Sequence, residues 1–274
     1  RFYGEIYDTV VQGGISFKQS DRELNLQVLM RINLLKRLES SVASFRITLS
    51  KILNKIEETL SLIEKYKKNG QVEIEYTEIH APDLDQDEWL DEEFNVGDKI
   101  KINLADMDLI SWEEDLKQDQ EILGSLLQEM TKITPEDDQK LAVLKKIIDQ
   151  KIENPINPGN KKIIIFSAFT DTVDYLYEHV SVYVKEKYRL ETAKVVGGDE
   201  NKNTAGLKND FNTLLTCFSP KSKEKHLILP DVPQELDILI ATDCISEGQN
   251  LQDCDYLINY DIHWNPVRII QRFG

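Results

Sequence analysis

Four apolar runs in the second half of the chain each stop on residues able to do chemistry. KIIIF is followed by Ser167, with Thr170 shortly after. TAKVV is followed by Gly197 and Gly198, DILIA by Thr242 and Asp243, and YLINY by Asp261. Hydroxyls and glycine amides donate hydrogen bonds to phosphate oxygens, while a carboxylate orients a cation or a guanidinium. Where strands run parallel, ligands bind beyond the carboxyl ends of the strands, so four such ends on one edge define a candidate site. Each end taken alone also fits ordinary turn chemistry, because Gly, Asp, Ser and Thr terminate strands for conformational reasons.

Other clusters invite sharper readings that the residue types limit. Lys221, Lys223 and Lys225 in FSPKSKEKH form a small basic loop, either a set of phosphate contacts or a solvated turn. Trp264 stacks on a base or shapes the turn before the last helix. His263, Cys244 and Cys254 lack the short ligand spacing of a zinc site, so no metal site is expected. DLDQDEWLDEEF opens like a calcium loop at Asp83, Asp85 and Asp87. It then has Glu88 where glycine is needed and Phe94 where a bidentate glutamate is needed, which leaves a solvated acidic face. Polar residues precede DEWL and DEEF, so neither is the magnesium motif that ends a buried strand.

The elements that must position these residues are legible from periodicity. Alternation of strand-like and helical patterns after about residue 160 predicts an α/β domain with a parallel sheet covered on both faces. The expected order is KIIIF, the helix DTVDYLYEHVSVYVKEK, TAKVV, a helix near 207–217, DILIA and YLINY. Before it, Thr134 as N-cap, Pro135 at the first helical position and three following acids predict a helix with Leu141, Leu144, Ile147 and Ile148 on its apolar face. NPINPGN is a linker. Further upstream, Val28, Ile32, Leu35, Leu38, Val42, Phe45, Leu49, Ile52, Ile56, Leu60 and Ile63 trace a helical stripe, continuous or divided near Ser40 and Ser41. It reads as a packing arm or as a protrusion that grips DNA or a partner. Gly70 closes it, and residues 71–133 are expected to be an irregular insertion. The expected domains are therefore 1–133, helical arm and acidic insertion, and 134–274.

Charge separates the same two parts. The 274 residues carry a net charge of −16, unfavourable for a protein that touches nucleic acid. Residues 73–138 hold 22 acids against four lysines, a local −18, which leaves the rest near +2. The acidity thus argues against nucleic acid at one segment only, and it suits a protein partner there. With no apolar run near 18 residues, no leader pattern and three cysteines in no paired spacing, a cytoplasmic protein without membrane contact is expected.

KKIIIFSAFTDTVDYLYEHV and DILIATDCISEGQNLQDCDYLINYDIHWNPVRIIQRFG resemble motifs IV, V and VI of superfamily 2 helicase-like ATPases. The Trp-Asn-Pro followed by Gln-Arg is most similar to the Swi/Snf-related branch, as is the helix EDDQKLAVLKKIID. Residues 24–63 resemble, more loosely, the helical extension of its bacterial members. The resemblance implies a RecA-like lobe over 134–274. It implies ATP clamped between this lobe and a first RecA-like lobe that supplies the phosphate loop and most of the hold on Mg2+. No GxxxxGK[ST] occurs here. Carried onto this sequence, Asp243, Glu247 and Gly248 of motif V and Gln271 and Arg272 of motif VI are the implied nucleotide contacts, Gln271 and Arg272 catalytic at the γ-phosphate. Phe166, Ser167, Gly197, Gly198, Thr242, Ser246, Gly248 and Asn250 are the implied nucleic-acid contacts.

The family's next motif VI arginine would follow Gly274. An arginine finger is worth roughly 10³ to 10⁵ in rate, so slow or absent turnover is expected of these residues alone. The implied activity is ATP-dependent translocation on double-stranded DNA. The alternatives are an RNA helicase or RNA-polymerase-associated ATPase, and a non-catalytic acidic interaction protein.

Overall fold

The computed structural model describes residues 9–10, 16–17, 19–69, 73–77, 99–103, 108–197, 200–245, 249–262 and 266–272. Its chain divides into two compact units, residues 1–133 and 134–274.

In the first unit the helical stripe is divided at Ser41, giving α1 (Gln19–Ser40) and α2 (Val42–Asn69). The cause is a cap: Ser41 Oγ accepts the Ser44 amide at 3.0 Å, and Arg37 reaches the Ser44 hydroxyl at 3.3 Å. A serine that satisfies an orphan amide starts a new helix in place of continuing the old one. Two antiparallel ribbons, β1 (Thr9–Val10) with β2 (Ser16–Phe17) and β3 (Glu73–Thr77) with β4 (Lys99–Asn103), flank the pair in sequence.

The expectation of an irregular insertion fails at 109–131, where a 23-residue helix, α3 (Leu109–Thr131), packs on α2. Leu109, Trp112, Leu116, Leu123, Leu127 and Met130 fall at helical spacing and are half-buried. The acidic residues between them hid that stripe from a reading based on charge. Asp108 caps α3 through the Ser111 amide, and Lys67–Glu113 and Gln120–Glu57 tie it to α2.

The second unit is a five-stranded sheet in the order β7-β6-β8-β5-β9. β5 (Ile163–Phe166), β6 (Thr192–Val195), β8 (Ile238–Ala241) and β9 (Leu257–Asn259) are parallel, and β7 (Lys202–Asn203) runs antiparallel on the edge. This is the α/β, RecA-like sheet flanked by helices, with one antiparallel strand added.

Both faces are covered, so β5 and β8 are apolar at every position. Ile163, Ile165, Ile238 and Ile240 meet α4 (Gln139–Glu153) and α5 (Thr170–Tyr188) on one face. Ile164, Phe166, Leu239 and Ala241 meet α6 (Phe211–Phe218) on the other. Lys194 breaks the rule: it is 1% exposed in β6 and is matched by Asp174 of α5.

Two helix starts differ from expectation. Asp138, in place of Thr134, caps α4 by accepting the Leu141 amide at 2.9 Å, while Thr134 forms a separate turn with Asp137. An acid immediately before the first helical residue, Gln139, out-competes a threonine five residues before it. The helix expected near 207–217 begins at Phe211, capped by Asp210. A short α7 (Lys225–Ile228) follows, and α8 (Pro266–Arg272) ends the described chain.

Candidate functional site

Parallel register brings the ends of β5, β6, β8 and β9 to one edge, and two polar assemblies fill it. The first centres on Arg272, in the last turn of α8. Its guanidinium forks onto Asp243, Nε to Oδ1 at 2.5 Å and Nη2 to Oδ2 at 2.7 Å, and Nη1 donates to Asn259 Oδ1 at 2.7 Å. The same group lies 5.0 Å over the Phe166 ring. Arg272 has no side-chain exposure and Asp243 only 9%. A planar, bidentate and desolvated pair of this kind is among the stronger polar contacts a protein makes.

The second assembly centres on Asp261. It accepts from the Ser167 hydroxyl, the Ala168 amide at 3.3 Å and Lys140 Nζ at 3.1 Å. Lys140 also sits 4.0 Å over the ring of Tyr260. Burial pushes the Tyr260 phenol well above its usual range, and the Asp138 and Asp261 carboxylates add to the shift. Residues from α4, β5 and β9 are thereby locked at the strand ends.

The sequence-derived residues are distributed unevenly over this arrangement. Phe166 and Ser167, read as nucleic-acid contacts, are 2% and 0% exposed and take part in the two assemblies. Asp243 and Arg272, read as nucleotide contacts, meet each other. Thr242, 3.2 Å from Val195 O through its amide, is half-buried on the rim, as is Gln271. Gly197 and Asn250 are exposed. Gly198, Ser246, Glu247 and Gly248 lie outside the described residues, as do His263, Trp264, Gly70 and the Asp83–Phe94 acidic run.

The basic loop is largely committed elsewhere. Lys225 is buried, with Nζ on Gln234 O at 2.6 Å. Lys223 Nζ donates to Gln249 Oε1 at 2.9 Å. The amides of Lys221 and Ser222 bind Asp253 at 2.7 and 2.9 Å. Burial raises the Asp253 carboxyl, but the Ser222 hydroxyl and these amides outweigh it and hold the group below its usual range. Burial also pushes the Cys254 thiol up to about 11, a poor state for a metal ligand or nucleophile. Among the described residues no cluster of His, Cys, Asp and Glu is placed to hold a metal ion, and no helix is long and apolar enough to cross a membrane.

Sequence reasoning missed Asn259, Lys140 and Asp253. Asn259 was signalled by a polar residue inside LINY; the other two depend on partners about 120 and 30 residues away, which no local pattern encodes.

Residues 139–274 match the helicase conserved C-terminal domain. The chain is 52% identical over 40 residues to the uncharacterized ATP-dependent helicase YqhH of Bacillus subtilis, covering 15% of this chain and 7% of that protein. It is 28% identical over 152 residues to the probable ATP-dependent RNA helicase ddx51 of Dictyostelium discoideum, covering 56% and 24%. The chain thus spans less than a third of either relative. A crystal structure of the C-terminal part of the Fun30 ATPase domain aligns over 82% of this chain and 74% of that one, with a TM-score of 0.33 and 15% identity. Residues 139–274 are thus a helicase-like C-terminal lobe.

Proposed function

We propose that this lobe is the second motor lobe of an ATP-dependent double-stranded DNA translocase of the Swi/Snf-related type. The observation that carries the reading is the interlocked edge of Asp243, Asn259 and Arg272, built from the strings that carry motifs V and VI, with Trp-Asn-Pro and Gln-Arg at their expected spacing. ATP would sit between this edge and a first RecA-like lobe. Closure on ATP and reopening after hydrolysis would step the protein along the duplex, without strand separation.

The carboxylates here do not fit magnesium, because Asp243 is filled by Arg272 and Asp261 by Lys140 and Ser167. Mg2+ and the phosphate loop are therefore assigned to the first lobe, and these residues alone would turn over slowly or not at all. On the rim, Gly197 and Thr242 remain as backbone and hydroxyl groups for phosphates, which position nucleic acid without reading bases, whereas Gln249 and Asn250 lie against Lys223 and Ser222. The free cysteines suit a cytoplasmic, reducing compartment. The acidic segment is left to a protein partner.

The RNA-helicase reading keeps a specific support, since the longer of the two sequence matches above is to a protein named as an RNA helicase. The test is ATP hydrolysis by the full-length protein with no nucleic acid, duplex DNA, single-stranded DNA or RNA. Stimulation by duplex DNA supports the translocase, stimulation by RNA alone moves the assignment to an RNA helicase, and no hydrolysis in any arm favours an interaction protein.

A further inference from the structure

A motif VI arginine is expected to face the phosphates of ATP, yet Arg272 faces inward. Its side chain is fully buried. Three of its N–H groups are taken by Asp243 and Asn259, and its face lies over Phe166. Reaching a phosphate would require the guanidinium to abandon the fork and leave the nearly buried Asp243 carboxylate without its cation, an arrangement buried charges do not tolerate.

We infer that Arg272 is a positioning residue that acts through Asp243, holding the 3-10 turn Asp243–Ile245 against the ends of β5 and β9, and that it does not itself touch the nucleotide. This rests on the reading of this edge as the nucleotide-facing edge. Asn259 completes the brace from β9, and the Phe166 ring sets the height of the guanidinium over the sheet. What matters is then the planar fork and not the positive charge. Lysine, a point charge without that geometry, is not a substitute.

The test uses the full-length protein and four variants: Arg272→Gln, Arg272→Lys, Asp243→Asn, and Arg272→Gln with Asp243→Asn. Misplacement of the turn is expected to lower kcat about 10²-fold in each single variant. Lysine should not rescue, and the double variant should fall within about threefold of the worse single one, because both changes remove one interaction. ATP and ADP affinities should shift together. Losses that multiply to about 10⁴, recovery by lysine, or weakened ATP binding with ADP unchanged would each assign Arg272 to the phosphates and overturn the inference.

Amide hydrogen exchange without nucleotide supplies a readout independent of hydrolysis. Residues 242–245 should exchange faster in Arg272→Gln while β6 stays protected. Unchanged exchange there sinks the brace whether or not the wild-type protein hydrolyses ATP. An inactive wild-type protein with the expected exchange change sinks the functional reading alone.

Discussion

The two edges of the same sheet use carboxylates in opposite ways. At the amino edge, before the strands begin, acids hold loops. Asp255 takes the fully buried Lys151 Nζ at 2.5 Å and Asn157 at 2.8 Å. Asp253 gathers the Lys221 and Ser222 amides, and Asp237 accepts the Glu191 amide at 2.9 Å. At the carboxyl edge, acids hold side chains of the candidate site: Asp243 holds Arg272, and Asp261 holds Ser167 and Lys140. Saturated carboxylates occur at both edges, so density of polar contacts alone does not mark a site. The carboxyl edge differs because Gly197 and Thr242 line its rim and because the strings that resemble the helicase motifs converge there. The difference separates residues that should change turnover from residues that should change only stability.

The largest expected effect at the carboxyl edge is the loss of about 10²-fold in kcat for Asp243→Asn in the full-length protein, read by steady-state ATPase, with the thermal melt of the lobe still cooperative. At the amino edge, Asp255→Ala leaves the Lys151 ammonium buried without its carboxylate. It should cost about 3 kcal/mol of stability in a denaturant titration, while turnover per folded molecule stays within twofold. Equal kinetic losses from the two variants would erase the distinction between the edges.

Most of the fold was legible because its signals are local. Short, mostly apolar runs ending on small or polar residues located β5, β6, β8 and β9, and the stripe across Val28–Ile63 announced the helical pair with its division near Ser41. α3 was not legible as a helix because its half-buried stripe is interleaved with Glu113, Glu114, Asp115 and Asp119, and charge counting overrode periodicity. The site was legible as an edge but not as a set of contacts. Strand ends can be read from sequence, whereas the inward turn of Arg272 and the burial of Ser167 depend on which groups tertiary packing brings within reach. Lys225 shows the same limit: within a basic string it looked solvent-facing, and the structure buries it on a backbone carbonyl.

Smaller effects sharpen the amino edge further. Asp253→Asn keeps the shape but loses the charge that the Lys221 and Ser222 amides favour, and about 1 kcal/mol is expected from a melt at neutral pH. That difference has a defined pH dependence. The Asp253 carboxyl lies lower in the folded chain than in the unfolded one, so its contribution is present above the unfolded value of about 4 and fades as pH falls through the folded one. Wild-type and Asp253→Asn melting temperatures should therefore converge towards low pH. A gap that persists there would mean that shape and not charge holds the loop.

The separation of the two edges is tested most directly by hydrogen exchange of the full-length protein with and without a non-hydrolysable ATP analogue and duplex DNA. The account predicts new protection at the carboxyl edge, in residues 196–201 and 242–245 and in α8, with loop 219–225 and residues 253–256 unchanged. Protection confined to the amino-edge loops would contradict it.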